Sequence, residues 1–163
     1  MSKMKQKHNM ERGQSLVEVA LTFMIMLMLL GGAIDFGMAL FSFVTIRDAA
    51  KEGAVYGSLN PTDTAGMSAN VRAAAPREPG QISFYPVDLS NASQVSVNVD
   101  WTDPAKKCEG ISSGVSNGVI VTVGFDYPIS MPLVSKMIGS NTIPLRAIVT
   151  DTILTPVCPC LRG

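Results

Sequence analysis

The sequence predicts an α+β protein: one long N-terminal helix, membrane-spanning and then protruding, packed on a small antiparallel sheet. Three observations carry this. Between Glu18 and Asp35 lie sixteen residues without a charge. Apolar residues then recur at three- and four-residue steps from Phe36 to Ala54, the stripe of an amphipathic helix. Beyond Gly80 the period changes from helical to alternating, the mark of strands buried on one face.

The first element is a charged leader, residues 1–13. It holds Lys3, Lys5, Lys7 and Arg12 against the single acid Glu11, and such a basic segment favours an N-terminus in the cytoplasm. The remainder carries a net charge of −3, from nine bases and twelve acids. Its largest basic cluster is Lys106–Lys107, so nucleic acid is not an expected partner. The only histidine, His8, lies in the leader. Downstream of it there is no Ser-His-Asp or Cys-His machinery and no histidine to bind zinc. Asp100, Asp103 and Asp126 have no catalytic spacing, so we expect no enzyme, no catalytic residues, no cofactor and no metal.

The apolar run from Leu16 to Ile34 is nineteen residues, about 28 Å of helix against a hydrocarbon core of about 30 Å. It continues past Asp35 as "FGMALFSFVTI" without a small-x-small cleavage site, so it should stay as an anchor rather than be removed as a secretory signal. Gly31 and Gly32 have two readings: small residues tolerated in a spanning helix, or a point of close helix packing. Asp35 marks the membrane exit. Beyond it, the spacing places Phe36, Leu40, Phe43, Ile46, Ala50 and Ala54 on a buried side, with Ser42, Thr45, Asp48 and Glu52 opposite. Gly57, Asn60 and Pro61 end the helix, which therefore occupies residues 14–59.

Residues 60–163 form the domain. "PTDTAGMSANVRAAAP" reads as a short helix capped near Asp63 and stopped by Pro76. "QVSVNVDW" and "GVIVTVGFDY" alternate cleanly and are strands; "IPLRAIVTDTIL" is a less regular one, and "ISFYPV" is a weak edge strand. The segments 102–118 and 128–139 read as loops, the latter with a helical turn ending at Gly139. One-sided strands need an apolar cover, and the outer half of the long helix is the natural one. Outside the cytoplasm a disulfide is plausible, joining Cys108 to either Cys158 or Cys160 and leaving one cysteine over.

With these elements placed, "RGQSLVEVAL" (12–21), "GGAIDFGMALF" (31–41) and "RDAAKEGAVYG" (47–57) together resemble the N-terminal signature of the TadE-like family, minor pilins or pseudopilins of tight-adherence (Tad/Flp) type IV pilus systems. The resemblance covers about a third of the chain. It implies a pilin-like fold and a prepilin peptidase that cuts after Gly13, on the cytoplasmic side, freeing the Gln14 amine. It also implies that Glu18, fifth residue of the mature chain, matters for assembly. A carboxylate in hydrocarbon needs a positive partner or a proton. The α-amine of an incoming subunit would supply that charge and set the vertical register of neighbouring helices. Taken by itself, Glu18 could instead reach the headgroups at the cytoplasmic interface. Asp35, Gly31 and Gly32 become candidate contacts with other pilin subunits. Val19 stands where many Tad pilins carry an aromatic, which favours a minor, domain-bearing pilin over the short major type.

The expected protein is a single-pass inner-membrane protein with an extracytoplasmic C-terminal domain. Its partners are the peptidase, other pilin subunits and the Tad assembly machinery, for a pilus used in adhesion or secretion. The alternative is an uncleaved, signal-anchored binding module with no filament; a small anchored enzyme is disfavoured by the missing histidine.

Overall fold

The apolar run and the stripe that follows it fuse into one helix, α1 (Lys3–Leu59), 57 residues long and about 85 Å at 1.5 Å per residue. It begins ahead of Gln14, in keeping with the helix-favouring Lys, Gln and Met of the leader. The computed structural model describes residues 3–74, 87–107, 109–111, 114 and 116–154. The weak strand at 82–87, apart from Val87, the Pro76 stop, and Cys108, Cys158 and Cys160 lie outside the described residues.

A tight corner follows α1. Asn60 N–H donates to the Tyr56 carbonyl at 2.9 Å. Asp63 then caps α2 (Thr64–Ala73), its carboxylate accepting from Gly66 N–H at 2.8 Å and from the Tyr56 hydroxyl at 2.8 Å. Those two donors, Gly66 first, hold the Asp63 carboxyl below its usual value, and the same bond raises Tyr56.

Three antiparallel strands follow in the order β1 (Val95–Trp101), β2 (Gly118–Pro128), β3 (Thr142–Thr152). Val99 faces Val121 across the first ladder, and Val123 faces Ala147 across the second. The central strand buries Val119, Val121, Val123, Phe125 and Tyr127, as its alternation predicts. Between β2 and β3, α3 (Pro132–Ile138) ends at Gly139, whose φ of 74° is the left-handed cap that favours glycine. This is the turn expected at 128–139.

The sheet covers the distal half of α1. The helix contributes Ile46, Ala49, Ala50 and Ala54 to the core, with Met67 and Val71 from α2 and the apolar row of β2 opposite. At Gly53 a Cβ would run into Val71, so only glycine permits this approach. From Phe43 onward the buried face of α1 is the one its apolar spacing indicates, with Phe43, Ile46, Ala50 and Ala54 against the core and Asp48 and Glu52 exposed. Between Phe36 and Ser42 it departs from that spacing. Phe36 and Leu40 are 71 % and 53 % exposed, while Ser42 is fully buried. Ser42 remains satisfied because its hydroxyl donates to the Met38 carbonyl at 2.8 Å. Small residues let the backbone approach the sheet around Ile46, and Phe36 and Leu40 point away.

The loop before β2 is more structured than its composition suggests. A 3-10 turn spans Pro104–Lys106, and buried Asn117 organises it. Its amide donates to the Lys106 carbonyl at 2.7 Å and its oxygen accepts from Asp103 N–H at 2.9 Å. At the same distal end, Trp101 donates its indole N–H to the Pro61 carbonyl at 3.1 Å, and Leu154 N–H donates to the Ser58 carbonyl at 2.9 Å.

Overpacking tests the close approach. Gly53→Val should cost about 1–3 kcal/mol in denaturant unfolding of the full chain in detergent. Val55→Ala, on the exposed side of the same turn, should change stability by less than about 0.5 kcal/mol. Equal effects would mean that the helix does not meet the sheet through Gly53.

Candidate functional site: the exposed helix and its junction with the domain

Gly13 and Gln14 lie within α1, exposed, and a Cβ at Gly13 would meet nothing. Glycine inside a helix is about 1 kcal/mol less favourable than alanine, so Gly13 is a local soft point in an accessible backbone. Glu18 lies one turn beyond Gln14 on the same face. Its side chain is exposed, its carbonyl accepts from the Thr22 hydroxyl at 2.9 Å, and Ser15, Val19, Phe23 and Met26 flank it. Every residue from Gly13 to Leu30 is exposed, almost all of them apolar after Ser15. A core helix of a soluble protein would be covered by its own chain. Here α1, the one helix among the described residues long and apolar enough to cross a membrane, has no such cover over that stretch. Such a surface suits lipid or other helices.

Cover begins at Gly31. The Met131 side chain, from the loop after β2, fills the space a Cβ on Gly31 would need. One turn on, Asp35 is buried and accepts the Met131 backbone N–H at 3.0 Å. The Tyr127 phenol nearby is held above the usual tyrosine value, first by burial and next by the negative charge of Asp35; a hydrogen bond with Ser130 pulls the other way. Asp35, expected at the membrane exit or against another subunit, is therefore engaged by the chain's own domain. Of the glycine pair, Gly31 is occupied by Met131 and Gly32 presents an open surface.

Glu18 and Asp35 are not brought together: seventeen residues at 100° each place them roughly 100° apart around the helix. Beyond Asp35 the outward face of α1 stays apolar through Phe36, Leu40, Phe41 and Val44, and only then turns charged at Arg47, Asp48, Lys51 and Glu52. Met131 and Tyr127 are the junction residues that sequence reasoning misses. A contact between positions 96 residues apart leaves no local signal. Among the described residues, no three His, Cys, Asp or Glu side chains converge as a metal site would require.

The junction makes a pH-dependent prediction. Because the folded Tyr127 value lies above 10.0, its contribution to stability is complete below pH 10.0 and is lost as pH rises through the folded value. Asp35→Asn removes one of the raising causes. Phenolate difference titration, with Tyr127→Phe as reference, should then find Tyr127 ionising at lower pH, and the alkaline loss of stability should be smaller. An unchanged Tyr127 titration would mean that Asp35 does not act on the Tyr127 phenol.

Comparison with known families agrees with this geometry. Residues 13–55 match the family model described as TadE-like protein. No curated protein and no solved structure matches the chain. The match begins at Gly13, just before the exposed apolar stretch, and ends at Val55, in the last turns of α1. The chain thus carries a TadE-like region over residues 13–55, consistent with a Tad pilus-associated protein anchored by a single apolar helix.

Proposed function

We propose that the chain is a minor pilin or pseudopilin of a Tad-type pilus. Residues 1–13 are a cytoplasmic leader that a prepilin peptidase removes. The helix of residues 14–59 crosses the inner membrane over about Leu16–Ile34, and residues 60–163 form an extracytoplasmic domain. One observation carries this reading beyond simple anchoring. The uncovered apolar face of α1 runs from Leu16 to Val44, about 42 Å of helix against about 30 Å of hydrocarbon. The hydrocarbon core alone leaves roughly the last third of it, beyond Phe36, among polar headgroups, whereas a bundle of like helices covers all of it. Glu18 is suited to set register in that bundle: it needs a cation once lipid or protein surrounds it, and the freed Gln14 amine of an incoming subunit provides one. The role requires assembly and presentation of the sheet domain in adhesion or secretion, and no catalysis.

N-terminal sequencing and intact mass of the membrane protein, with and without a co-expressed prepilin peptidase, test the reading. Peptidase-dependent appearance of a chain starting at Gln14 is the expected result. A retained leader beside an active cognate peptidase would leave an uncleaved, signal-anchored binding module as the better account. In the assembling system, Glu18→Ala should abolish incorporation while leaving membrane insertion and cleavage intact. Normal incorporation of that variant would remove Glu18 from the mechanism.

A further inference from the structure

The excursion between β2 and β3 meets α1 at Gly31 and Asp35, at the end of the sheet nearer the exposed apolar stretch. Ile129 N–H donates to the Asn141 carbonyl at 3.0 Å and closes its base, so residues 130–140 project as one unit that includes α3. Met131 at its leading edge touches the helix at Gly31. From Leu16 to Gly31 the helix rises about 22 Å. A hydrocarbon core of about 30 Å that begins at Leu16 therefore extends some 8 Å past the point where Met131 makes contact. Interfacial helices bury their apolar faces about 5–10 Å into the headgroup and acyl boundary, and the excursion falls within that depth.

Its chemistry matches. Met131, Leu133, Val134, Met137 and Ile138 are apolar, and Ile138 is 56 % exposed beside a turn, where water offers it nothing. Lys136 is its only charge, and no acid occurs between Asp126 and Asp151. A single exposed base close in sequence to exposed Ile138 suits a surface of anionic lipid.

We infer that residues 130–140 form a foot that rests in the membrane interface on the domain's side, with Ile138 in the acyl boundary and Lys136 among lipid headgroups. The foot also explains why Asp35 tolerates its position near the edge of the hydrocarbon. The Met131 N–H and side chain shield it from lipid, so the carboxylate meets protein rather than acyl chains. Two contacts with the bilayer, the helix and the foot, would set the orientation of the domain above the membrane. The inference rests on the membrane-anchored reading of α1.

Quenching by lipid separates the two ideas. The full chain is reconstituted in vesicles of phosphatidylcholine and phosphatidylglycerol, with the phosphatidylcholine brominated high on its acyl chains or unbrominated. The native Trp101, at the opposite end of the sheet, is the internal baseline. A second tryptophan is added as Ile138→Trp or, within the span, as Leu27→Trp. The expected result is no quenching of Trp101 and loss of most of the added emission in both variants. Quenching at Leu27→Trp without quenching at Ile138→Trp overturns the foot and leaves the anchor standing. Quenching at neither position overturns the anchor, and the foot with it. Equal quenching of Trp101 and Ile138→Trp overturns the foot in favour of a domain lying flat on the bilayer.

Discussion

Along the distal half of α1, Ala49, Ala50, Gly53, Ala54 and Gly57 offer almost no side-chain bulk, so the backbone approaches the valine row of β2 directly. The rest of the domain is built around this seam. The α2 helix inserts Met67 and Val71 into the same contact, and the end of β3 is tied to Ser58 by a backbone hydrogen bond. Close packing of small residues converts a long, otherwise solitary helix into the spine of an α+β unit, because dispersion contacts fall away steeply with even a small gap. The seam also fixes the height of the sheet along the helix. β2 runs antiparallel to α1, from Val119 beside Gly57 down to the Tyr127–Met131 segment beside Asp35.

That alignment makes one helix serve two surroundings. From Gly13 to Leu30 it has no cover among the described residues, and its apolar side chains face outward on every side. Above Gly31 one face belongs to the domain while the other stays apolar as far as Val44. The changeover is concentrated at Gly31 and Asp35, where a missing side chain makes room for Met131 and a carboxylate accepts its N–H. A charge at such a boundary is costly in hydrocarbon and cheap against a peptide N–H, so the loop that reaches it makes the position tolerable.

Much of the fold is legible because the responsible physics is local. Val119, Val121, Val123, Phe125 and Tyr127 alternate, and the strand buries that row. Asp63 sits where a cap is needed, and Gly139 where a left-handed residue is needed. The helix face follows its apolar spacing from Phe43 to Ala54 and departs from it between Phe36 and Ser42, for an equally physical reason. Hydrophobic spacing places Phe36 and Leu40 inward and Ser42 outward, but in this helix hydrophobicity marks both faces. Between Phe36 and Ser42, size rather than polarity decides which one meets the sheet. Asn117 shows the same limit: in a segment of loop composition, its four hydrogen bonds become visible only once Asp103, Lys106 and Gly118 surround it.

By itself the sequence determined that a basic N-terminal segment precedes a bilayer-length apolar helix, that Gly13, Gln14 and Glu18 stand at its head, and that one-sided strands follow. Each of these depends on composition and period over a few neighbouring residues. Only the tertiary structure decided which face of α1 is covered between Phe36 and Ser42, that Asp35 accepts from Met131, and how far down the helix the domain reaches. Those depend on the distance between segments far apart in the chain, which the packing of small residues sets and no local pattern records.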